Sequence, residues 1–201
     1  MIQAFRNFIT RRTFAYKLRN KAMNMFSSFE NFNLIREKAE ASRKAENRPH
    51  EVLYFHKVDD PYSHLTVHYI DKFKEAYDIQ FKPILVGEEN PAALHEPTLY
   101  TDYCLEDVKR IASYYDVDFP GKSYPDKKLV DKANSILTAV NSDEFGYVAK
   151  TVSHAHWSGD LAKLEELEVS YNSSEQEVIE TLKEGHEIRN SCDYYFGSAF
   201  Y

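Results

Sequence analysis

The stretch Glu51-Val-Leu-Tyr-Phe-His-Lys-Val-Asp-Asp-Pro-Tyr-Ser-His-Leu65 decides the fold of this chain. Its first half, from Val52 to Phe55, is a short run of β-branched, aliphatic and aromatic residues, which predicts a buried strand. Asp60 followed by Pro61 predicts a helix start, because an aspartate side chain accepts the orphan N–H groups of the first turn and proline at the first helical position loses no needed donor. The stretch therefore predicts a strand, a turn and a helix.

A helix face and a second strand follow this start. Four apolar or aromatic residues recur at four-residue spacing and mark one helix face, namely Leu65, Tyr69, Phe73 and Tyr77. Residues 79–86, Ile-Gln-Phe-Lys-Pro-Ile-Leu-Val, predict the second strand. Residues 51–86 thus predict a βαβ unit with parallel strands and a right-handed crossover. Pro83 cannot donate to a neighbouring strand, so the second strand is predicted at a sheet edge.

Four helical patterns follow a loop at residues 87–97, which is rich in glycine and proline. Each pattern begins at a capping residue and continues with apolar residues at helical spacing. The predicted starts are Asp102, Asp126, Asp143 and Ser174, the last in a capping-box pattern with Glu177. Gly159 is predicted to end the third helix. Residues 193–201 then predict a strand that begins at Tyr194 or after Gly197.

With these elements in place, the sequence resembles the DsbA-like proteins of the thioredoxin-fold family. The tetrapeptide Asp60-Pro61-Tyr62-Ser63 on strand, turn and helix, and the later Pro-Ile-Leu-Val-Gly, are similar to the branch of 2-hydroxychromene-2-carboxylate isomerases and kappa-class glutathione transferases. That branch has Ser-Pro-Tyr-Ser at the tetrapeptide, whereas redox members have Cys-Pro-His-Cys. Residues 99–120 also resemble this branch, so the similarity spans about residues 51–201.

The resemblance implies an α/β, thioredoxin-like domain at residues 51–201 with a large helical insertion, at about residues 100–192, between the second and third strands. A complete thioredoxin fold has a β-hairpin and a closing helix after the insertion, and only the first strand of that hairpin is predicted here. We therefore expect a fragment of a longer protein, or another element that covers the open sheet edge. The cis-proline that the family has before this strand has no counterpart in Gly197-Ser198-Ala199.

The tetrapeptide argues against redox chemistry. Dithiol exchange needs a thiolate nucleophile and a resolving thiol, and Asp60 and Ser63 stand where the two cysteines would be. The resemblance instead implies a glutathione-dependent isomerase or transferase that acts on a small electrophilic or aromatic substrate, with glutathione as cofactor and no metal. The predicted catalytic residues are Asp60, as a general base or acceptor, and Ser63. Substrate or glutathione contacts are predicted for Pro61, Tyr62, His64, Trp157 and Ser198.

Each of these residues also has a structural interpretation. Asp60 is equally well a plain helix N-cap, and Ser63 a donor to the local backbone. Tyr62 either stacks on substrate or fills the core, and Trp157 either lines the cleft or packs at a helix end. A non-catalytic thioredoxin-like module for binding or assembly is therefore the alternative function, and a disulfide oxidoreductase, by family name only, is a third.

Histidines and cysteines give weaker signals. His64, His68 and Asp71 fall on one helix face, which we interpret as a solvated face rather than a metal site. His154 and His156 are two residues apart, so they are predicted on different sides of a helix. Cys104 and Cys192 form no C-x-x-C, which fits a reducing, cytoplasmic setting.

Charge is unevenly distributed along the chain, whose net charge is −7. Residues 1–29 contain six basic residues and no acid, which leaves 19 of the 25 basic residues against all 32 acidic ones in the rest, a net −13. This balance argues against nucleic acid as the partner of the main domain. No apolar run is long enough to span a bilayer, so we expect a soluble protein. A homodimer is expected by analogy alone.

Residues 1–50 predict an N-terminal basic amphipathic helix and a charged helical linker that ends at Pro49. The apolar positions of the helix are Ile2, Phe5, Phe8, Ile9 and Phe14. We expect this helix to pack on its own domain or on a partner. Weak contact with anionic lipid is the alternative, and an organelle transit peptide, which the arginine-rich composition resembles, is a third.

Overall fold

The computed structural model describes residues 14–87, 96–192 and 199–200, and the chain divides after His50 into two compact units. The first unit contains helices α1 (Phe14–Phe26) and α2 (Phe29–Ala45). Ser28 caps α2, because its hydroxyl accepts the Asn31 N–H at 3.1 Å. None of the α2 residues is buried. The predicted apolar positions Ile2 to Phe14 have side chains that lie outside the described part of the chain.

The second unit is a mixed α/β structure that is mostly helical. Its strands are β1 (Glu51–His56), β2 (Gln80–Leu85) and β3 (Ala199–Phe200). Between β1 and β2 lie α3 (Pro61–Val67) and α4 (Ile70–Ala76). In the described residues between β2 and β3 the helices are α5 (Pro97–Tyr114), α6 (Lys127–Thr138), α7 (Phe145–Ser158), α8 (Leu161–Glu168) and α9 (Glu175–Ser191).

The sheet has the strand order β2-β1-β3. Strands β1 and β2 are parallel, with Tyr54 beside Pro83, and β1 and β3 are antiparallel, with Phe55 beside Ala199. The predicted βαβ unit with parallel strands is therefore confirmed, and β2 with its proline lies at an edge of the sheet described here. A strand after Gly197 is confirmed as well.

The helix after β1 differs from its prediction. It is divided at His68 and Tyr69 into α3 and α4. The predicted face is not buried either, since Tyr69 is 37% and Tyr77 59% exposed, while Val67 and Ile70 enter the core. The aromatic residues of that face pack on each other near the surface, with the Phe73 and Tyr77 ring centroids 5.0 Å apart.

Two helix starts were predicted correctly. Asp126 caps α6, accepting the Leu129 N–H at 3.0 Å. Ser174 and Glu177 form the predicted capping box of α9. Gly159 ends α7 with a left-handed φ of 73°, a conformation that favours glycine.

Other predicted boundaries were wrong. Helix α5 begins at Pro97 and contains Asp102 in its interior, because proline takes the first helical position. Helix α7 begins at Phe145, and Asp143 does not cap it. The side-chain oxygen of Asn141 instead accepts the backbone N–H groups of Asp143 and Glu144, each at 3.0 Å. Helix α8, which Asp160 caps, was not predicted at all.

The core of the second unit lies between one face of the sheet and helices α6 and α7. Burying these side chains removes apolar surface from water, which is the main stabilising term in folding. The sheet contributes Tyr54, Phe81 and Leu85, and the helices contribute Ala133, Ile136, Leu137, Phe145, Val148, Ala149 and Val152. Helix α7 crosses the core and ends at Ser158, directly after the buried pair His156 and Trp157. It thereby links the core to the region of the predicted site.

Helix α9 packs closely against β2. A Cβ atom added to Gly185 would lie 1.9 Å from the Leu85 carbonyl oxygen, so glycine is required for this close approach. Among the described helices, none has the length and apolar composition that crossing a membrane requires.

Candidate functional site

The tetrapeptide lies at the carboxyl end of β1, where Asp60 caps α3. One carboxylate oxygen of Asp60 accepts the Tyr62 N–H at 3.1 Å, and the other accepts the Ser63 hydroxyl at 3.3 Å. Pro61 occupies the first turn and is buried. The predicted helix start at Asp60 and Pro61 is therefore confirmed, and the side chain of Asp60 takes part in the cap.

Ser63 closes the turn between β1 and α3. Its side chain is buried, and its hydroxyl oxygen accepts the Lys57 N–H at 3.3 Å while the hydroxyl proton is directed to Asp60. These contacts hold the loop of residues 57–60 against the helix. Asp60 and Ser63 therefore form one hydrogen-bonded unit at the end of the strand.

Tyr62 joins this helix start to α5. Its hydroxyl donates to the Asp107 carboxylate at 2.7 Å. Burial raises the pKa of the Tyr62 hydroxyl, and the neighbouring Asp107 and Cys104 raise it further. Burial likewise raises the pKa of the Cys104 thiol, although hydrogen bonds with Tyr100 and Tyr62 oppose the shift. Tyr62 and Cys104 are thus both held in their protonated forms.

Tyr124 is a residue of this region that the sequence analysis missed. It is half-buried in the loop between α5 and α6, and its hydroxyl has no hydrogen-bond partner among the described residues. Burial raises the pKa of the hydroxyl first, and electrostatic interactions with Cys104 and with the carboxylates of Asp60 and Asp59 raise it further. These groups lie close enough to one another for their charges to interact. The Ser123-Tyr124-Pro125 sequence, an aromatic residue in a proline-bearing loop before a helix cap, was the available signal.

A cavity of about 580 Å³ lies next to Tyr124. Two adjacent residues at the end of α7 line it and are almost fully buried, His156 at 1% and Trp157 at 3% exposure. Neither ring nitrogen of His156 makes a hydrogen bond of normal geometry, and the indole N–H of Trp157 also lacks a partner, among the described residues. The Trp157 ring contacts Tyr124, with the ring centroids 5.5 Å apart. Unpaired polar atoms in a buried wall are uncommon in native proteins.

His64 is hydrogen-bonded to the helical segment, which comprises the helices of residues 97–191, and does not line this cavity. Its Nε2 donates to the Asp118 carbonyl at 2.7 Å, so Nδ1 is the acceptor of the Ser153 hydroxyl at 2.9 Å. Burial lowers the pKa of His64 to about 4, which keeps the ring neutral. The interpretation of His64, His68 and Asp71 as a solvated face is therefore wrong for His64, which is completely buried.

Other histidines are arranged as follows. His154 is exposed and lies 3.1 Å from the Asp118 carboxylate, whereas His156 is buried, so the two do lie on different sides of α7. In the described ranges, no group of His, Cys, Asp or Glu side chains is arranged to hold a metal ion.

The predicted site residues are therefore only partly assembled. Asp60, Pro61, Tyr62 and Ser63 lie together. The ring of Trp157 contacts Tyr124 and not the tetrapeptide itself in the contacts described here, and the Asp60 carboxylate is one of the groups that raise the pKa of Tyr124. His64 contacts α7 instead. Ser198 lies outside the described residues.

These elements define a mixed α/β protein, mostly helical, with an acidic tetrapeptide at the end of the first strand. No protein-family model matches the chain, and no curated protein sequence matches it. The resemblance to DsbA-like proteins stays a prediction.

Proposed function

We propose that the chain is a DsbA-like, thioredoxin-like protein without dithiol redox activity, and that it works as a glutathione-dependent isomerase or transferase on a small aromatic or electrophilic molecule. The observation that carries the proposal is the position of Tyr124. The Asp60 carboxylate is one of the groups that raise the pKa of its hydroxyl, and its ring contacts Trp157. This interaction supports the proposal, because a two-substrate reaction needs a polar group near the tetrapeptide.

The order of elements supports the proposal. Two parallel strands joined by helices, then a block of helices, then a third strand antiparallel to the first is the order that the resemblance implies. In the described part of the chain, the tetrapeptide also stands at the carboxyl end of a parallel strand, where α/β proteins commonly bind ligands. Fold alone does not determine activity, so the side chains must supply the remaining argument.

The side chains suggest a division of roles. Asp60 would accept the thiol proton of glutathione as the sulfur adds to an electrophilic carbon of the substrate. Tyr124, whose raised pKa keeps its hydroxyl protonated, would donate to the substrate oxygen on which negative charge develops. An isomerase would then expel the sulfur again and regenerate glutathione, whereas a transferase would release the conjugate.

Calorimetric titration with glutathione tests the proposal. We expect saturable binding to the wild type and tighter binding to Asp60→Ser, because that variant removes a carboxylate that repels thiolate. Asp59→Ser is the matched control, since it removes an equal charge from the neighbouring residue, which pairs with Lys57 at 3.3 Å. Absence of binding to all three proteins would overturn the proposal.

A specific observation favours a second candidate, a non-catalytic binding or assembly module. Both carboxylate oxygens of Asp60 take part in the helix start, and Ser63 is buried. These residues then serve the fold alone. If the chain is such a module, neither the wild type nor Asp60→Ser should bind glutathione. Light scattering coupled to size-exclusion chromatography should then show an oligomer.

A further inference from the structure

The first unit carries a group of exposed apolar side chains. The large apolar residues that are more than half exposed in its two described helices are Leu18, Met23, Met25, Phe26, Phe29, Phe32, Leu34 and Ile35. Phe26 and Phe29 stand on either side of the turn that joins α1 to α2, and they are 67% and 74% exposed. Exposed apolar side chains that are grouped in one segment, unlike single scattered ones, mark an interaction site.

Helix α1 is amphipathic. With about 3.6 residues per helical turn, one side of the helix is formed by Leu18, Ala22, Met25 and Phe26. Lys17 and Lys21 lie away from this side and are exposed. A helix with apolar residues on one side and cations on the other lies in the plane of a membrane interface, with its apolar side among the acyl chains and its cations at the head groups.

The charge of this segment is complementary to an anionic surface. Residues 1–29 contain six basic residues and no acid, and three of the six lie in α1, namely Lys17, Arg19 and Lys21. Each lysine or arginine near an anionic lipid surface strengthens binding by about five-fold. An anionic bilayer matches both the charges and the exposed apolar side chains, and because it is fluid it needs no preformed groove.

The turn between α1 and α2 can leave water because its polar groups are paired within the chain. The Ser27 hydroxyl donates to the Met23 carbonyl at 2.8 Å, and the Ser28 hydroxyl accepts the Asn31 N–H at 3.1 Å. The side-chain amide of Asn31 donates to the Phe26 carbonyl at 3.3 Å. Unpaired polar groups would resist transfer into lipid. This pairing therefore allows the phenylalanines on either side of the turn to enter the boundary of the acyl chains.

We infer that residues 16–35 bind the surface of a bilayer that contains anionic phospholipid, with Phe26 and Phe29 at the acyl chains and Lys17 and Lys21 at the phosphate groups. The rest of α2 stays in water, because from Arg36 onwards it contains six charged residues and no large apolar one. The inference goes beyond the proposed function and is independent of it, since no residue of the tetrapeptide takes part. It would make the chain a peripheral membrane protein.

Co-sedimentation of the full chain with large unilamellar vesicles tests this inference. One set of vesicles is phosphatidylcholine alone, and the other is an equimolar mixture of phosphatidylcholine and phosphatidylglycerol. We expect saturable binding to the mixed vesicles and binding weaker by about ten-fold or more to phosphatidylcholine, which carries no net charge. High salt should weaken binding to the mixed vesicles, because it screens the attraction between the cations and the phosphate groups.

A pair of substitutions tests the apolar contact. Phe26→Ser combined with Phe29→Ser should weaken binding to the mixed vesicles by about ten-fold or more, because two aromatic rings no longer leave water. Tyr114→Ser combined with Tyr147→Ser is the matched control, since it removes two exposed aromatic rings from the second unit, and it should leave binding unchanged. All four side chains are exposed, so both proteins should fold, and thermal unfolding checks this.

A second pair tests the charges. Lys17→Gln combined with Lys21→Gln should weaken binding to the mixed vesicles by about ten-fold or more and leave the weak binding to phosphatidylcholine unchanged. Lys122→Gln combined with Lys128→Gln removes an equal charge from exposed positions of the second unit and should have no effect on either. If the phenylalanine variant does not fold, this pair and its control decide alone.

Several results would overturn the inference: no binding to the mixed vesicles, unchanged binding in the folded phenylalanine variant, or equal losses in the variants and their controls. A second copy of the chain is the competing occupant, because residues 30–201 hold 19 basic and 32 acidic residues, a net charge of −13. An oligomer in light scattering that the phenylalanine substitutions dissociate, without vesicle binding, would assign the surface to that copy. Vesicle binding without glutathione binding would retain this inference and reject the proposed function, and the opposite result would do the reverse.

Discussion

The Nδ1 atom of His64 lies 2.9 Å from the hydroxyl oxygen of Ser153, so the helix of the tetrapeptide is hydrogen-bonded to the middle of α7. His64 follows the tetrapeptide directly, and His156 and Trp157 lie three and four residues after Ser153, near the end of α7 at Ser158. Because the other nitrogen of His64 donates to the Asp118 carbonyl, both nitrogens of this buried ring are used. These hydrogen bonds therefore join the start of α3 to α7, the helix that contributes His156 and Trp157 to the cavity.

Removing the Ser153 hydroxyl should destabilise the protein. Ser153→Ala leaves Nδ1 of His64 buried without a donor, and an unpaired buried acceptor costs about 1–3 kcal/mol. The free energy of unfolding, from urea titration monitored by circular dichroism, measures the loss. Ser158→Ala, at the exposed end of the same helix, is the control and should change stability by about 0.5 kcal/mol or less. Equal stability of Ser153→Ala and wild type would contradict the role given to this hydrogen bond.

Stability should fall with pH below the ordinary histidine range. Burial lowers the pKa of His56 to about 3 and of His64 and His156 to about 4, from 6.5. The unfolded chain therefore binds protons below pH 6.5 that the native chain does not bind until about pH 4. This stabilisation is complete above pH 6.5 and is lost as the pH falls towards 4, by about 1.4 kcal/mol per pH unit for each histidine.

Urea midpoints at about pH 7 and about pH 5 measure this dependence. His156→Leu removes one of the three groups and should reduce the dependence on pH by about a third. His154→Leu serves as the control, because His154 is exposed. A midpoint that does not change between the two pH values would show that these rings are not buried in neutral form.

A methyl group at Gly185 should disrupt the packing of α9 on β2. The added Cβ would lie 1.9 Å from the Leu85 carbonyl oxygen, a backbone atom that cannot move independently of the strand. We expect Gly185→Ala to lower the free energy of unfolding by about 1–3 kcal/mol. At Gly87 the nearest atom to an added Cβ is 3.5 Å away, so Gly87→Ala should be tolerated. Equal stability of the two variants would contradict the contact between α9 and β2.

The two cysteines should not support disulfide exchange. Cys104 is buried with a raised pKa, so little thiolate forms at neutral pH, whereas Cys192 is partly exposed at the end of α9. In the native protein, iodoacetamide should alkylate Cys192 well before Cys104, as peptide mass spectrometry can measure. Urea should abolish the difference. We also expect no reduction of insulin, and activity in that assay would contradict the interpretation of the tetrapeptide.

Local signals in the sequence predicted much of the fold. A strand followed by an aspartate and proline, a capping box at Ser174 and a glycine at position 159 each depend on neighbouring residues, and each was predicted correctly. Helix α8 was missed because its eight residues start at a cap that follows Gly159 directly, where the previous helix had been predicted to end. The break at Tyr69 was missed because the aromatic residues keep helical spacing across it.

The candidate site was less predictable, because its contacts connect distant parts of the chain. Tyr62 reaches Asp107, 45 residues away, and His64 reaches Ser153, 89 residues away. No spacing rule relates such pairs. The surroundings of Tyr124 and His156 are likewise formed by residues that are distant in the sequence. The tetrapeptide indicated where a site begins, and only the packing of the helical segment identified its other wall.

The most direct test of the central claim is a glutathione titration of ¹⁵N-labelled protein, followed by the backbone amide signals. If glutathione binds between the helix start and the helical segment, the largest shifts should belong to residues 57–64 and to Ser123, Tyr124 and Asp126, and they should saturate together with the heat of binding. Signals of helix α8, which belongs to neither of these segments, should not move. No shifts, or shifts centred on α8 instead, would contradict a glutathione site at Asp60 and favour a binding or assembly module.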